Sequence, residues 1–553
     1  MILSAHITEK SFGSSQLHSN VDLEIQEREK VGLIGRNGTG KSTLFHILTG
    51  EDTDYQGQIK VKRGATVVSS RQEHYGFEAK SVLEYILGDL PEYQELAHII
   101  DTYPQTMGSN PRKIQAYTDA LERFGKLEYF EIEGELEQSL KQYQLTTTNL
   151  HQSLGSLSGG QKRMVELIKM QRSRGDIILI DEPTNHMDYV AKNTFIEWLD
   201  AANEAALIVT HDRDVLNNVD RIIELRDGIS YSFRGNYSSY LRTNKTQVTS
   251  EVSTYDLTQK RIQTLEQDVI RFKRMKEKAR NPGTIKRFKS QELKARAELN
   301  KLSELERPSF WIDQETALEM NDKVTKAYDK YKATNIRVST RKKQREGSGK
   351  VLIKIDKLSL GYDEDPLFDK LSLSLREGER LRLHGRNGSG KTTLVQAIMA
   401  RAQHEVSPSQ QFSGNIWIEN GIRIGLYEQA ISPGYLSLTL AEAIEGIHRS
   451  LDLPVNQQRV KQLLSDYLFD PGSDGKTPVK LLSGGQKARL QLIAMLAGDP
   501  QILILDEPTN HLDLPSIEEL ENALSDYHGA IIYVSHDSFF ADKLGGEEIK
   551  IGS

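Results

Sequence analysis

Short apolar runs, each closed by a glycine, an acid or a histidine, recur near both ends of this chain. KVGLIG (Lys30–Gly35) reads as a strand, and KSTLFHILTG, after a glycine loop, reads as a helix. DIILID and QILILD end in Asp181 and Asp506. Buried parallel strands deliver a carboxylate to the C-terminal edge of a sheet in this way. ALIVTH and IIYVSH, ending at His211 and His536, read as two further strands. Strands alternating with helices predict an α/β fold.

Between these strand-rich ends the period changes. Ile262, Leu265, Val269, Phe272 and Ala279 keep a 3–4 spacing, with one polar interruption at Lys276. NPGT (residues 281–284) predicts a helix break, and Phe288, Ala295, Leu299 and Leu302 supply a seam for a returning helix. The pattern predicts an antiparallel helical hairpin whose first helix covers 255–280, about 39 Å at ~1.5 Å per residue.

The chain is duplicated. GRNGTGKST (residues 35–43) returns as GRNGSGKTT (385–393), LSGGQ occurs at 157–161 and 482–486, and DEPTNHMD returns as DEPTNHLD. The interval from Ser158 to Asp181 equals that from Ser483 to Asp506, and the interval from Asp181 to His211 equals that from Asp506 to His536. Matched intervals mark an internal repeat. The predicted domains are 1–243, a charged linker at 244–349 and 350–553. The stretch from Gln72 to Ser158 is longer than its counterpart from Gln429 to Ser483, and the surplus predicts an inserted helical arm within 88–140.

The 553 residues exceed one hydrophobic core, and their composition is that of a soluble globular protein. No apolar run reaches the ~18–20 residues a membrane span needs, and the N-terminus does not read as a secretory signal. Zero cysteines exclude disulfides and thiolate metal sites, so a cytoplasmic setting is expected.

Strand, G-x-x-x-x-G-K-[ST] and helix together form a phosphate cradle. Gly35, Gly38 and Gly40, with Asn37 beside them, let backbone N–H groups face phosphate oxygens at a helix N-terminus. Gly385, Asn387, Gly388 and Gly390 repeat this. Lys41 and Lys391 are the expected neutralisers of the β/γ-phosphates of ATP; Ser42 and Thr392, followed by Thr43 and Thr393, are the expected Mg²⁺ ligands, with Asp181 and Asp506. Glu182 and Glu507 follow those acids and are the candidate general bases. His211 and His536 are candidates to hydrogen-bond the γ-phosphate, and Gln72 and Gln429 to sense metal and attacking water. Phe12 and Tyr362 precede their loops by equal intervals, as adenine-stacking or plain packing aromatics.

Ser158, Gly159, Gly160 and Gln161, and Ser483, Gly484, Gly485 and Gln486, open helices expected near Lys162 and Lys487. Each is a second anion-binding helix N-terminus. One domain does not need two cradles for one ATP. The second makes sense if it serves a nucleotide held by the other domain.

These motifs together resemble the ATP-binding cassette superfamily. EPTNH twice, with a charged connector and no membrane helix, resembles the ABC-F family in particular. The resemblance covers nearly the whole chain. It implies a twin-cassette ATPase with two composite ATP–Mg²⁺ sites and intramolecular pairing rather than an obligate homo-oligomer. One site would use Lys41, Ser42, Gln72, Asp181, Glu182 and His211, closed by Ser483, Gly485 and Gln486. The other would use Lys391, Thr392, Gln429, Asp506, Glu507 and His536, closed by Ser158, Gly160 and Gln161. Phe12, where the family usually shows tyrosine, and Val215, where a bulkier aromatic is common, are the departures.

Residues 271–289 hold nine Lys or Arg against one acid, in a chain of net charge −7. Positive charge collected near a turn suits contact with a phosphate backbone. The candidates are Lys278, Arg280, Lys286, Arg287 and Lys289, at a tip placed about 280–289. A second basic stretch, 339–350, reads as a flexible approach to the second domain. The resemblance implies a ribosome as partner, with the hairpin directed at P-site tRNA and rRNA near the peptidyl-transferase centre, in a translation factor or an antibiotic-protection factor. A transporter's ATPase subunit and a DNA-repair or chromosome ATPase are the competing readings.

Overall fold

The computed structural model describes residues 1–12, 15–71, 74, 76–185, 187–303, 311–313, 325–326, 328, 336, 349–362, 365–428 and 431–552. The chain divides into two compact units, Met1–Ser232 with Ile336–Ser553, and Phe233–Asn335.

The first unit contains two α/β cassettes of one topology. In the first, parallel strands run in the order Arg221–Arg226, Lys30–Gly35, Ala205–Val209, Ile177–Asp181 and Val67–Ser69. The second repeats it as Glu547–Lys550, Arg380–His384, Ala530–Val534, Ile502–Asp506 and Ile424–Tyr427. Each cassette adds an antiparallel sheet, built on Leu3–Phe12 in the first and on Val351–Tyr362 in the second. The four strands that lead to the expected acids and histidines are buried at every position. Val21–Ile25, in an antiparallel sheet, alternates buried and exposed. Burial on both faces explains why the first set reads as unbroken apolar runs.

Residues 88–140 carry a helical hairpin, Tyr93–Thr106 and Pro111–Lys126, before the helix Ile132–Gln142. Asn110 caps the second helix and Pro111 opens it, where its missing N–H costs nothing. Arg123 forks onto Glu92 at 2.9 and 2.6 Å, and Tyr93, Phe124 and Tyr129 pack ring against ring.

The second unit is built on the helices Tyr237–Lys278 and Pro282–Ser303. The first starts at Tyr237, not near residue 255, so its 42 residues extend about 63 Å at 1.5 Å each. Asn236 accepts the Ser239 N–H and caps it. The break also falls earlier than expected, at residues 279–281: Pro282 begins the returning helix, and Asn281 Oδ1 accepts the Gly283 N–H at 2.8 Å. Leu265 and Ala295 are buried in the seam. Lys276, the polar interruption, pairs with the buried Glu292, which also binds Arg296. The seam therefore closes around an ion pair. Of the basic stretch 339–350, residues 339–348 lie outside the described residues.

Candidate functional site

Both glycine loops have the backbone a phosphate cradle requires. Gly38 and Gly40 have φ of 89° and 91°, Gly388 and Gly390 of 80° and 97°. Side chains rarely adopt these values. Lys41 Nζ donates to the carbonyls of Gly35 and Arg36, and Lys391 Nζ to those of Gly385 and Arg386. Each ammonium thus lies over its own loop, and burial lowers its pKa.

The strands Ile177–Asp181 and Ile502–Asp506 end beside these loops. Thr392 Oγ1 donates to Asp506 Oδ2 at 2.9 Å, while the buried Asp506 Oδ1 has no hydrogen-bond partner. A hydroxyl and a carboxylate with an orphaned oxygen fit a hard divalent cation. The next residues, Glu182 and Glu507, adopt φ of 46° and 51°, left-handed values that cost a non-glycine residue free energy and concentrate at functional sites. Burial first, then the neighbouring Asp181 carboxylate, pushes Glu182 up to about 8. Burial pushes Glu507 up to about 7 and Asp506 up to about 6. His211 and His536 are held neutral, burial driving both down to about 3. His536 Nε2 lies 3.3 Å from Glu507 Oε1, and His211 Nε2 lies 3.8 Å from Glu182 Oε1.

The helices that LSGGQ opens, the signature helices, begin at Gly159 and Gly484, three residues before the expected lysines. Ser158 and Ser483 are their N-caps; each Oγ accepts the N–H of Gln161 or Gln486, whose Oε1 accepts the serine N–H in return. Both glutamines are therefore turned back onto their own helices.

Each helix start meets the other cassette's loop. A cavity of about 670 Å³ is lined by Ser158, Gly159 and Gly160 from the first cassette, and by Asn387, Gly388, Lys391, Thr392, Asp506, Glu507 and His536 from the second. Tyr362 also lines it. On the opposite side Gly485 packs on the first loop so closely that a Cβ there would lie 2.2 Å from Asn37 Nδ2. Gln72 and Gln429 lie outside the described residues, as does the Phe12 side chain.

Two residues with no role foreseen from sequence join the halves. Asp513 caps its own helix through Oδ1, taking the Ser516 N–H, while Oδ2 takes the Asn37 N–H of the opposite loop at 2.7 Å. Asp188 does the same, with Oδ1 on the Val190 and Ala191 N–H groups and Oδ2 on the Asn387 N–H at 3.0 Å. Burial alone would raise the Asp513 pKa, but these donors hold it down. The signal was an Asp placed before a helix; its second partner lay in the other copy.

The candidate RNA-facing side chains Lys278, Arg280, Lys286, Arg287 and Lys289 are all exposed on the hairpin. Among the described residues, no helix is long and apolar enough to cross a membrane.

A family model described as ABC transporter matches residues 18–185 and 368–510, and a second of the same description matches 223–321. The chain is 30% identical to the putative ATP-binding protein YdiF of Bacillus subtilis, over 100% of this chain and 80% of that one. It is 29% identical to the probable ATP-binding protein YbiT of Escherichia coli O157:H7, over 100% and 96%. With ABC transporter F family member 2 of Arabidopsis thaliana it shares 27%, over 98% and 75%. Among solved structures, an archaeal ribosome recycling factor, aABCE1, in complex with the stalk protein aP1, superposes with a TM-score of 0.53 at 17% identity, over 99% of this chain and 87% of that one.

Proposed function

The chain belongs to the ABC-F family of twin-cassette ATPases, and we propose that it is an ATP-driven clamp that acts on the ribosome through its basic hairpin. The observation that carries the clamp is reciprocal: Asp188 and Asp513 each bind the opposite glycine loop, beside a signature helix aimed at that loop. Two ATP molecules would lie between the halves, each held by one cassette's lysine and the other's capped serine.

Mg²⁺ would be held by Thr392 and Asp506 in one site and by Ser42 and Asp181 in the other; when bound it neutralises phosphate charge. Glu507 and Glu182 polarise the attacking water. Burial places their pKa values near neutral pH, where a general base works best. The neutral His536 and His211 rings offer a hydrogen bond to the γ-phosphate without adding charge. Tyr362, which lines the cavity, would stack on the adenine at the second site. Loss of the γ-phosphate removes contacts shared by both halves and favours opening.

The hairpin's cations, exposed while Lys276 and Arg261 are engaged by Glu292 and Glu298, support contact with RNA phosphates. P-site tRNA and rRNA in a cytoplasmic ribosome are the partners this reading names, for a translation factor or a drug-protection factor. In co-sedimentation, E182Q/E507Q protein with ATP is expected to pellet with ribosomes, and reversal of Arg280, Lys286, Arg287 and Lys289 to Glu to release it. Absence of E182Q/E507Q protein from the ribosomal pellet in ATP contradicts the reading. Co-purification with a membrane permease would favour a transporter motor instead.

A further inference from the structure

The duplication breaks where the cassettes meet. Lys192 stands four residues after Asp188, whereas four after Asp513 stands Ile517. Arg213 and Asp214 follow His211, whereas Ser538 and Phe539 follow His536. Lys192 is only 4% exposed, on the helix that Asp188 caps. Its ammonium donates to the His536 carbonyl at 2.5 Å and to Asp214 Oδ2, with Asp212 Oδ2 at 3.4 Å. Around it, Arg213 Nη2 binds Glu521 and Asp537, and the Ser538 hydroxyl donates to Asp214.

Lys192 therefore grips one end of a residue whose other end holds Glu507. The His536 N–H donates to Glu507 Oε2 at 3.3 Å, and its ring lies beside the other carboxylate oxygen. At the equivalent position Ile517, buried and apolar, has nothing to donate.

We infer that Lys192 is a positioning residue for the ATP site of the second cassette: by holding the His536 carbonyl it fixes the groups that orient Glu507, so the two composite sites turn over unequally. The inference rests on Glu507 being the residue that polarises water. Misplacement of a reacting group by a fraction of an ångström to 1 Å costs on the order of 10- to 100-fold in rate.

The test isolates each site. In an E182Q background only the second site is competent, and Lys192→Met is expected to lower kcat about tenfold with KM for ATP within about twofold. In an E507Q background the same substitution is expected to change kcat by less than about twofold. Affinity for a fluorescent ATP analogue stays the same, and Lys192→Arg restores most of the lost rate. The double variant K192M/D214N also removes the nearer of the two carboxylates that Lys192 pairs with and carries the test should Lys192→Met fail to fold; its second site is expected to stay slow. Equal loss in both backgrounds, no loss in E182Q, or full recovery in K192M/D214N would overturn the inference. Undiminished ATPase in E182Q/E507Q would remove the Glu507 assignment itself, and the inference with it.

Discussion

The two cassettes keep their signature serines, strand-end acids and histidines in one constant register, the same offset carrying Ser158 to Ser483, Asp181 to Asp506 and His211 to His536. Around that frame they differ. The aromatic-sized side chain under the first glycine loop is His18, whose Cε1 would meet a Cβ on Gly40 at 2.5 Å; under the second it is Phe368 against Gly390. The first signature helix carries Glu166 and Lys169, buried in a cluster with Tyr85; the corresponding residues of the second are Gln491 and Ala494. Lys192 corresponds to Ile517 in the same way. The comparison teaches that the motif residues keep one register while the side chains packed behind them differ in charge and size, as Lys169 does from Ala494, and that at Lys192 the difference reaches the residue that holds Glu507.

The largest expected effect tests the shared frame. Glu182→Gln with Glu507→Gln should lower phosphate release by roughly 10²–10⁴-fold. Each single variant, measured alone, should reveal how unequally the two sites contribute. Next come the bridging carboxylates: Asp188→Ala and Asp513→Ala each remove one charge-assisted bond between halves, about 1.5–3 kcal/mol. Both should weaken ATP-induced closure, read as distance between labels on cysteines introduced into this cysteine-free chain.

A smaller effect concerns pH. Glu182 and Glu507 have folded pKa values of about 8 and 7, above their unfolded value of 4.5, so the native state retains protons that the unfolded state has released. Stability of the nucleotide-free protein should fall as pH rises from about 6.5 to 8. Melting temperatures of E182Q/E507Q should lose that decline. The histidines, lowered to about 3 from 6.5, act in the opposite sense but below this window. Smallest is His18→Phe, which makes the first site resemble the second. Burial lowers the His18 pKa, so the unfolded chain takes up its proton more readily as pH drops below 6.5. The substitution should flatten that acid-side loss of stability and shift ATPase activity by less than about twofold.

Much of the fold was legible because its central strands are buried on both faces and therefore read as apolar runs bounded by motif residues. The seam of the hairpin was legible too, from Leu265 to Ala295. The opening stretch of the long helix was not: YSSYLRTNKTQVTSEVST is rich in Ser and Thr, poor helix formers whose state tertiary packing decides. The signature helices were placed three residues late because glycines argue against helix, although S-x-x-Q already carried the capping box. Asp188 and Asp513 stood in plain view in the quoted motifs. Their partners, Asn387 and Asn37, lie 199 and 476 residues away, a separation that periodicity cannot bridge.

The central claim is that each signature helix closes the site of the other cassette. It is tested most directly by ATP retained through gel filtration in E182Q/E507Q protein that also carries Lys391→Ala, leaving only the first loop able to bind. Gly485→Glu should abolish retention while Gly160→Glu leaves it intact. Retention lost through Gly160→Glu and kept through Gly485→Glu would contradict the account.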